Sequence, residues 1–363
     1  MASPLNRTFN NPQEETLALI GRLFELKSGE KLRHNLFPVV DSKAFELYET
    51  QVKALWIPYE VKLANDAEQY ANLDNSLLAY FPNSQQRKEI ADKIKHMVRK
   101  IFGAFAGTDG LVVENLSFRF ILQTNTLEQM MFYTMQNAIE AIHAHTYSLL
   151  IEGTIKDPSE RQQLFEASDR DADLKAVHEW IKGYMLSPDP EAILVFIITE
   201  GIFFPAFFMC VYWLRQFNLF PGLLFANKKI APDEALHEKY GKYRYNQIPL
   251  GQRLSQSKVD MMTDQALYLI GKVMVGMIPD GLPGLSAEYL VNFLHFLADR
   301  ICRDLGYKAP YNIDINTLPA WFKEISVDEK ANFYEVTVSS YQGVNHSSNP
   351  GETDFTNLED DSF

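Results

Sequence analysis

Four acids, Asp109, Glu140, Glu200 and Glu234, interrupt apolar helical sequence in this protein. A fold that buries those helices must satisfy the acids or strand charge in its core. Two of them open Glu-x-x-His motifs: Glu140 with His143 (EAIH) and Glu234 with His237 (EALH). Of eight histidines, these two alone have a glutamate three positions earlier. Residues three apart share a helix face, so each motif aims one carboxylate and one imidazole at the same point. Asp109 precedes Glu140 by 31 residues, and Glu200 precedes Glu234 by 34. At roughly 1.5 Å per residue, about 30 residues take the backbone to a helix end, round a turn and back to the same height. Each carboxylate thus returns level with a Glu-x-x-His, in two copies of one arrangement.

Taken singly, each acid could be a buried partner of an arginine and each histidine a satisfied core residue. Taken together, several unpaired acids in one core would be costly, and a pair of divalent cations relieves that cost. Four carboxylates and two imidazoles form the ligand scheme of ferritin-like di-iron and di-manganese proteins. Such ligands suit iron first and manganese second.

The rest of the body is consistent with an all-α, ferritin-like helical bundle. Long windows place apolar residues three and four apart, with few alternating Val/Ile/Thr runs. Helices are predicted over 85–107, over 127–153 with Gly153 as a stop, and over 286–306 with Ser286 as N-cap and Gly306 as C-cap. Residues 192–214 are long and apolar enough to raise a membrane span. Glu200 at their centre would be expensive in lipid, so they are expected to form a buried helix of the bundle.

With 363 residues and 46% hydrophobic content, the protein can bury a large core. A net charge of -13 argues against a nucleic-acid partner, because phosphate affinity is carried by Lys and Arg. Cys210 and Cys302 stand in neither a zinc nor a Cys-x-x-Cys spacing, which points to a reducing cytoplasm. The polar start, MASPLNRTFNNPQEE, lacks the apolar stretch of a secretory signal.

Two domains are expected, a helical body over 1–332 and a flexible acidic tail over 333–363. No Lys or Arg follows Lys330, and the last 21 residues hold only Phe355, Leu358 and Phe363 as large apolar anchors. Composition leaves open whether this is a solvated tail or a docking peptide. Tyr147, four positions after His143, falls on the metal-facing side of its helix. Spacing does not decide between a core tyrosine bonded to a carboxylate and a phenol oxidised to a radical. Phe204, Phe208 and Ile230 are spaced to supply the dry cage that a radical needs.

Four stretches carry a resemblance: GTDGLVVENL around Asp109, AIEAIHAHTYSLLIEG around Glu140, ITEGIFFPAFF around Glu200, and FPGLLFANKKIAPDEALH leading to Glu234. Through them the protein resembles the small, radical-bearing subunit of class I ribonucleotide reductase, closer to the eukaryotic and viral branch than to the common bacterial one. The resemblance implies ligands to two iron ions, with manganese as the alternative, at Asp109, Glu140, His143, Glu200, Glu234 and His237. It implies a radical formed with O2 on Tyr147, and radical transfer through Trp56, Asp233 and Tyr341 to a separate large subunit that reduces ribonucleotides. It also implies a homodimer, and a terminal DFTNLEDDSF that docks on that large subunit. Adjacent helical residues point about 100° apart, so Asp233 is expected to touch a ligand rather than the metal.

Two features depart from the family. Pro232 stands where many relatives have an arginine, and it is expected in the first turn of its helix. Trp56 lies 53 residues before Asp109, which indicates an insertion over 64–81. The rival functions are a stand-alone di-metal oxidase or oxygenase, and non-catalytic iron binding.

Overall fold

The computed structural model describes residues 34–319 and 321–322. Its main helices are α1 (Ser42–Ala54), α2 (Ala64–Ala71), α3 (Ser84–Asn115), α4 (Leu127–Thr154), α5 (Ala172–Tyr184), α6 (Asp189–Ile198), α7 (Phe204–Leu214), α8 (Pro221–Gln247), α9 (Gln256–Met277) and α10 (Ala287–Asp304). Among the described residues the only β pairing is an isolated bridge between Leu282 and Leu285. Helix α3 packs on α4, α4 on α8, and α6 and α7 on α8, which makes the four-helix bundle. The expected all-α, ferritin-like architecture is present.

Side-chain caps set several helix starts. Asn83 accepts from the Gln86 amide at 3.0 Å, Thr126 from Gln129 at 3.3 Å, and Ser286 from Tyr289 at 3.2 Å. Gly306, at φ 84°, lies just past the end of α10, where a left-handed residue closes a helix. Helix α3 runs eight residues beyond its predicted end at 107. Gly103 and Gly107 in that stretch are close-packing points rather than stops. A Cβ there would lie 2.6 Å from Ala167 Cβ and 1.7 Å from Ser168 Oγ, respectively.

Residues 192–214 are buried in the protein, as expected for a core helix. A π turn over Thr199–Phe203 joins α6 to α7. Cys210 and Cys302 are free and buried.

The predicted insertion has a structural task. From α2, Asp66 accepts from the amides of Gly222 and Leu223, both at 2.8 Å, and so caps the start of α8 from a distance. Gln69 adds a bond from the Phe220 amide at 2.6 Å and donates to the Asn218 carbonyl at 3.1 Å. With Asn218 and Phe220 held at positive φ, α8 begins at Pro221. This corrects the expectation for Pro232, which lies in the interior of α8 rather than its first turn. A proline there lacks the N–H that would bond to the carbonyl four residues back, a loss of about 3 kcal/mol in a helix interior.

Candidate metal centre

Helix α4 presents Glu140 and His143, α8 presents Glu234 and His237, α3 supplies Asp109, and the π turn supplies Glu200. All six expected ligands are buried, none more than 1% exposed. The two histidines point Nδ1 at the carboxylates. His143 Nδ1 lies 3.0 Å from Glu234 Oε1 and 3.4 Å from Glu140 Oε2. His237 Nδ1 lies 2.9 Å from Glu140 Oε1 and 3.1 Å from Glu234 Oε2. Glu140 and Glu234 each therefore place one oxygen beside each imidazole. Glu200 Oε2 is on the His237 side, 3.9 Å from its Nδ1. Ligand atoms of Glu140, Glu200, Glu234 and His237 all fall within 4.8 Å of one another. Asp109 belongs to the other side, where His143 is its foremost charged neighbour.

The orphaned atoms test whether these residues fit a metal pair. Both Asp109 oxygens, Glu140 Oε2, Glu200 Oε2, Glu234 Oε1 and His143 Nδ1 are buried without a hydrogen-bond partner. Glu234 Oε1 and His143 Nδ1 are 3.0 Å apart yet not aligned to bond to each other. Lone pairs that converge without pairing need a shared cation, and two dications balance four carboxylates. The donor set of oxygen and imidazole nitrogen fits iron or manganese.

Without metal, protons take the place of cations. Burial pushes Asp109 and Glu200 well above the usual carboxylate range; His143 partly offsets this at Asp109, and Glu234 adds to it at Glu200. Burial disfavours the imidazolium of both histidines, but nearby carboxylates prevail. Glu234 and Asp233 raise His143, and Glu140 raises His237 to about 9. Glu234 is held low: burial opposes its ionisation, and the two histidines outweigh it.

Asp233 meets the outer nitrogen of His143 rather than the cluster of carboxylates, as its offset of about 100° from Glu234 on α8 predicts. Its Oδ2 lies 3.2 Å from His143 Nε2 and accepts from Trp56 Nε1 at 2.9 Å. The Trp56 and His143 rings stack at 6.0 Å. Trp56 is 4% exposed, so the three residues make a continuous, buried chain of contacts leading from the centre.

Tyr147 is 1% exposed and its hydroxyl has no partner. Burial, and then the charge of Asp109, push its phenol well above the ordinary range. Of the expected cage, Phe204, Phe208 and Ile230 are all fully buried. The ring stacked on Tyr147, however, is Phe105, at 4.2 Å; it also meets Phe208 at 5.6 Å and Phe204 at 6.3 Å. Sequence reasoning missed Phe105, although it stands four before Asp109 and so shares its face. It also missed Gln136, four before Glu140, whose Nε2 donates to Glu140 at 3.3 Å and Glu200 at 3.4 Å. Tyr341, the acidic tail and the boundary at 332 lie outside the described residues.

Comparison with known proteins gives a concordant result. A family model described as "Ribonucleotide reductase, small chain" matches residues 84–319. The ribonucleoside-diphosphate reductase small subunit of Dictyostelium discoideum is 31% identical over 314 residues, covering 86% of this chain and 87% of that protein. Two solved structures share the fold. The dimanganese(II)-NrdF of Streptococcus sanguinis has a TM-score of 0.68 at 17% identity, covering 81% of this chain and 99% of that one. The Rnr4 homodimer of Saccharomyces cerevisiae has a TM-score of 0.66 at 19% identity, covering 88% and 98%.

Proposed function

This chain belongs to the ribonucleotide reductase small-chain family, and from that premise we propose that it forms the radical-generating subunit of a ribonucleoside-diphosphate reductase, with Tyr147 as the radical site. The observation that carries this reading is the convergence of both histidine Nδ1 atoms on the carboxylates of Glu140 and Glu234, in a core where Glu140 Oε2, Glu200 Oε2, Glu234 Oε1 and the Tyr147 hydroxyl are buried without a hydrogen-bond partner.

Asp109, Glu140, His143, Glu200, Glu234 and His237 would hold two metal ions. When bound, the ions supply, with O2, the oxidising power for one-electron oxidation of a nearby phenol. Iron is the first assignment and manganese the second. The protein's own residues do the rest. Phe105 covers one face of the Tyr147 ring, and the buried aromatics around it exclude water that would quench a radical. Asp233 fixes the orientation of His143 and links it to Trp56, so oxidation passes outward along His143, Asp233 and Trp56 and onward through Tyr341.

The ribonucleotide chemistry occurs on a separate large subunit, since that reduction needs clustered redox thiols and this chain has two scattered cysteines. The partner binds the acidic tail through Phe355, Leu358 and Phe363, and the small subunit works as a homodimer in a reducing cytoplasm, where Cys210 and Cys302 stay free.

The deciding experiment is electron paramagnetic resonance after ferrous iron and O2 are added to the metal-free protein. A tyrosyl signal is expected in the parent and not in Tyr147→Phe. A parent that binds metal but gives no such signal, with iron or with manganese, would refute the radical reading. Deleting residues 344–363 is expected to abolish turnover with the large subunit while leaving the radical intact; full turnover would remove the tail from the docking role.

A further inference from the structure

The helix formed by α6 and α7 is interrupted at Glu200, and the groups that meet this break lie on two other helices. A π turn holds one residue more than an α turn and is uncommon except where neighbouring structure supports it. Here the Phe204 amide donates to the Thr199 carbonyl, five residues back. The carbonyl of Gly201, next to Glu200, accepts from Arg300 Nη2 on α10 at 3.3 Å. The same Nη2 lies 2.9 Å from Oε1 of Glu238, the residue after His237 on α8. Glu238 is 4% exposed, and its Oε1 also meets Lys242 Nζ at 2.7 Å. Gly201 is pressed against this carboxylate: a Cβ there would lie 2.5 Å from Glu238 Oε1 and 2.6 Å from Cδ.

Three elements thus meet at one point, the π turn, α8 beside a metal-facing histidine, and α10. Glu238 is buried and the Arg300 side chain is 20% exposed; taking such charges out of water is costly unless they are well bonded, so the pair is weak evidence for stability alone. This pair sits against the one turn whose geometry decides where Glu200 points. Were the turn to close into an α turn, the residues beyond it would rotate by about 100° relative to those before it.

We propose that Arg300, anchored by Glu238, is a positioning residue for Glu200: it holds the π turn open and keeps the Glu200 carboxylate facing His237. The inference rests on the two-metal reading and deepens it. Arg300 acts on the Glu200 end of the centre, where its contacts with Gly201 and Glu238 lie.

The test is a titration of the full-length, metal-free protein with Mn2+ under anaerobic conditions, with the free ion counted by its electron paramagnetic resonance signal. The parent is expected to take up two ions. In Arg300→Gln the second ion should bind about 10- to 100-fold more weakly while the first is unaffected, the range typical for loss of a group that orients a ligand. Arg300→Lys, which keeps a donor for Gly201, should recover part of that loss. Gly201→Ala, which pushes Glu238 aside, should reproduce it. Lys242→Met removes a cation from Glu238 without touching the π turn and should keep both ions. If Arg300→Gln and Gly201→Ala bind both ions as the parent does, the positioning role is wrong and the two-metal reading stands. If Lys242→Met loses as much as Arg300→Gln, the cluster acts by general packing, and the role is again wrong. A parent that takes up fewer than two ions overturns the two-metal reading and this inference together.

Discussion

At one end of the buried centre Asp109 rides on an unbroken α-helix; at the other, Glu200 sits in a π turn between two helical segments. The imidazoles differ in the same way. His143 Nε2 meets Asp233, which in turn holds Trp56, whereas His237 Nε2 has no hydrogen-bond partner among the described residues. Tyr147 senses Asp109 more than any other charge, while the cluster of Arg300, Glu238 and Lys242 lies against the Glu200 end. The ligands repeat because a pair of cations asks the same of each end. Their surroundings do not repeat: one end is connected to aromatic residues, as the proposed outward transfer needs, and the Arg300 cluster lies against the other.

The strongest way to break this division is to count metal. Glu140→Ala is expected to cost the centre both ions, since Glu140 offers an oxygen to each imidazole. Asp109→Asn and Glu200→Gln should each cost one. Metal analysis after reconstitution reads the result directly. Equal losses in all three variants would mean that the centre is not divided as described.

Cutting the connection at the His143 end should have a smaller effect. Asp233→Asn keeps the shape of the side chain but weakens its hold on His143 and Trp56. It is expected to lower turnover with the large subunit by about 10- to 100-fold, while metal content and the Tyr147 signal remain. Unchanged turnover would show that oxidation does not pass through Asp233. Loss of metal along with turnover would instead make Asp233 a support for His143 alone.

What was legible in the sequence follows the same division between ligand and surroundings. The ligands show because helical spacing is regular: Glu-x-x-His fixes a face, and a 31- or 34-residue return fixes a height. Asp233 came from the family resemblance, and its angle from Glu234 added only that it touches a ligand rather than the metal. The π turn was not legible, since apart from Thr199 the residues around Glu200 carry no polar side chain, and an extra residue leaves no mark in so apolar a pattern. Nor was the start of α8, which is set by Asp66 and Gln69 from more than 140 residues away. That distant cap is why Pro232 falls in a helix interior rather than a first turn. Phe105 and Gln136 stood at the right spacing but were hidden among many residues that share it. Arg300 could not be found at all, because a contact between α10 and the π turn is set by tertiary packing alone.

The smallest effect expected lies behind the Asp109 end, at His178. Thr108, beside Asp109, donates its hydroxyl to the Ala104 carbonyl at 2.8 Å. Its oxygen is therefore left to accept from His178 Nε2, 3.0 Å away, which fixes the tautomer. Burial, helped by Lys182, pushes the imidazole down to about 4. The folded protein thus resists protonation that the unfolded polypeptide accepts near its ordinary value of about 6.5. Between those values the unfolded state binds more protons, so stability is present above the unfolded value and falls as pH drops through this window. From pH 7 to 5.5 the loss from this residue should be on the order of 1 kcal/mol. His178→Gln, which keeps a donor for Thr108 but cannot titrate, should remove that share of the pH dependence in denaturant melts of the metal-free protein. If the variant and the parent lose stability in parallel over this range, His178 is not held neutral, and the Asp109 end has no such acid-sensitive support behind it.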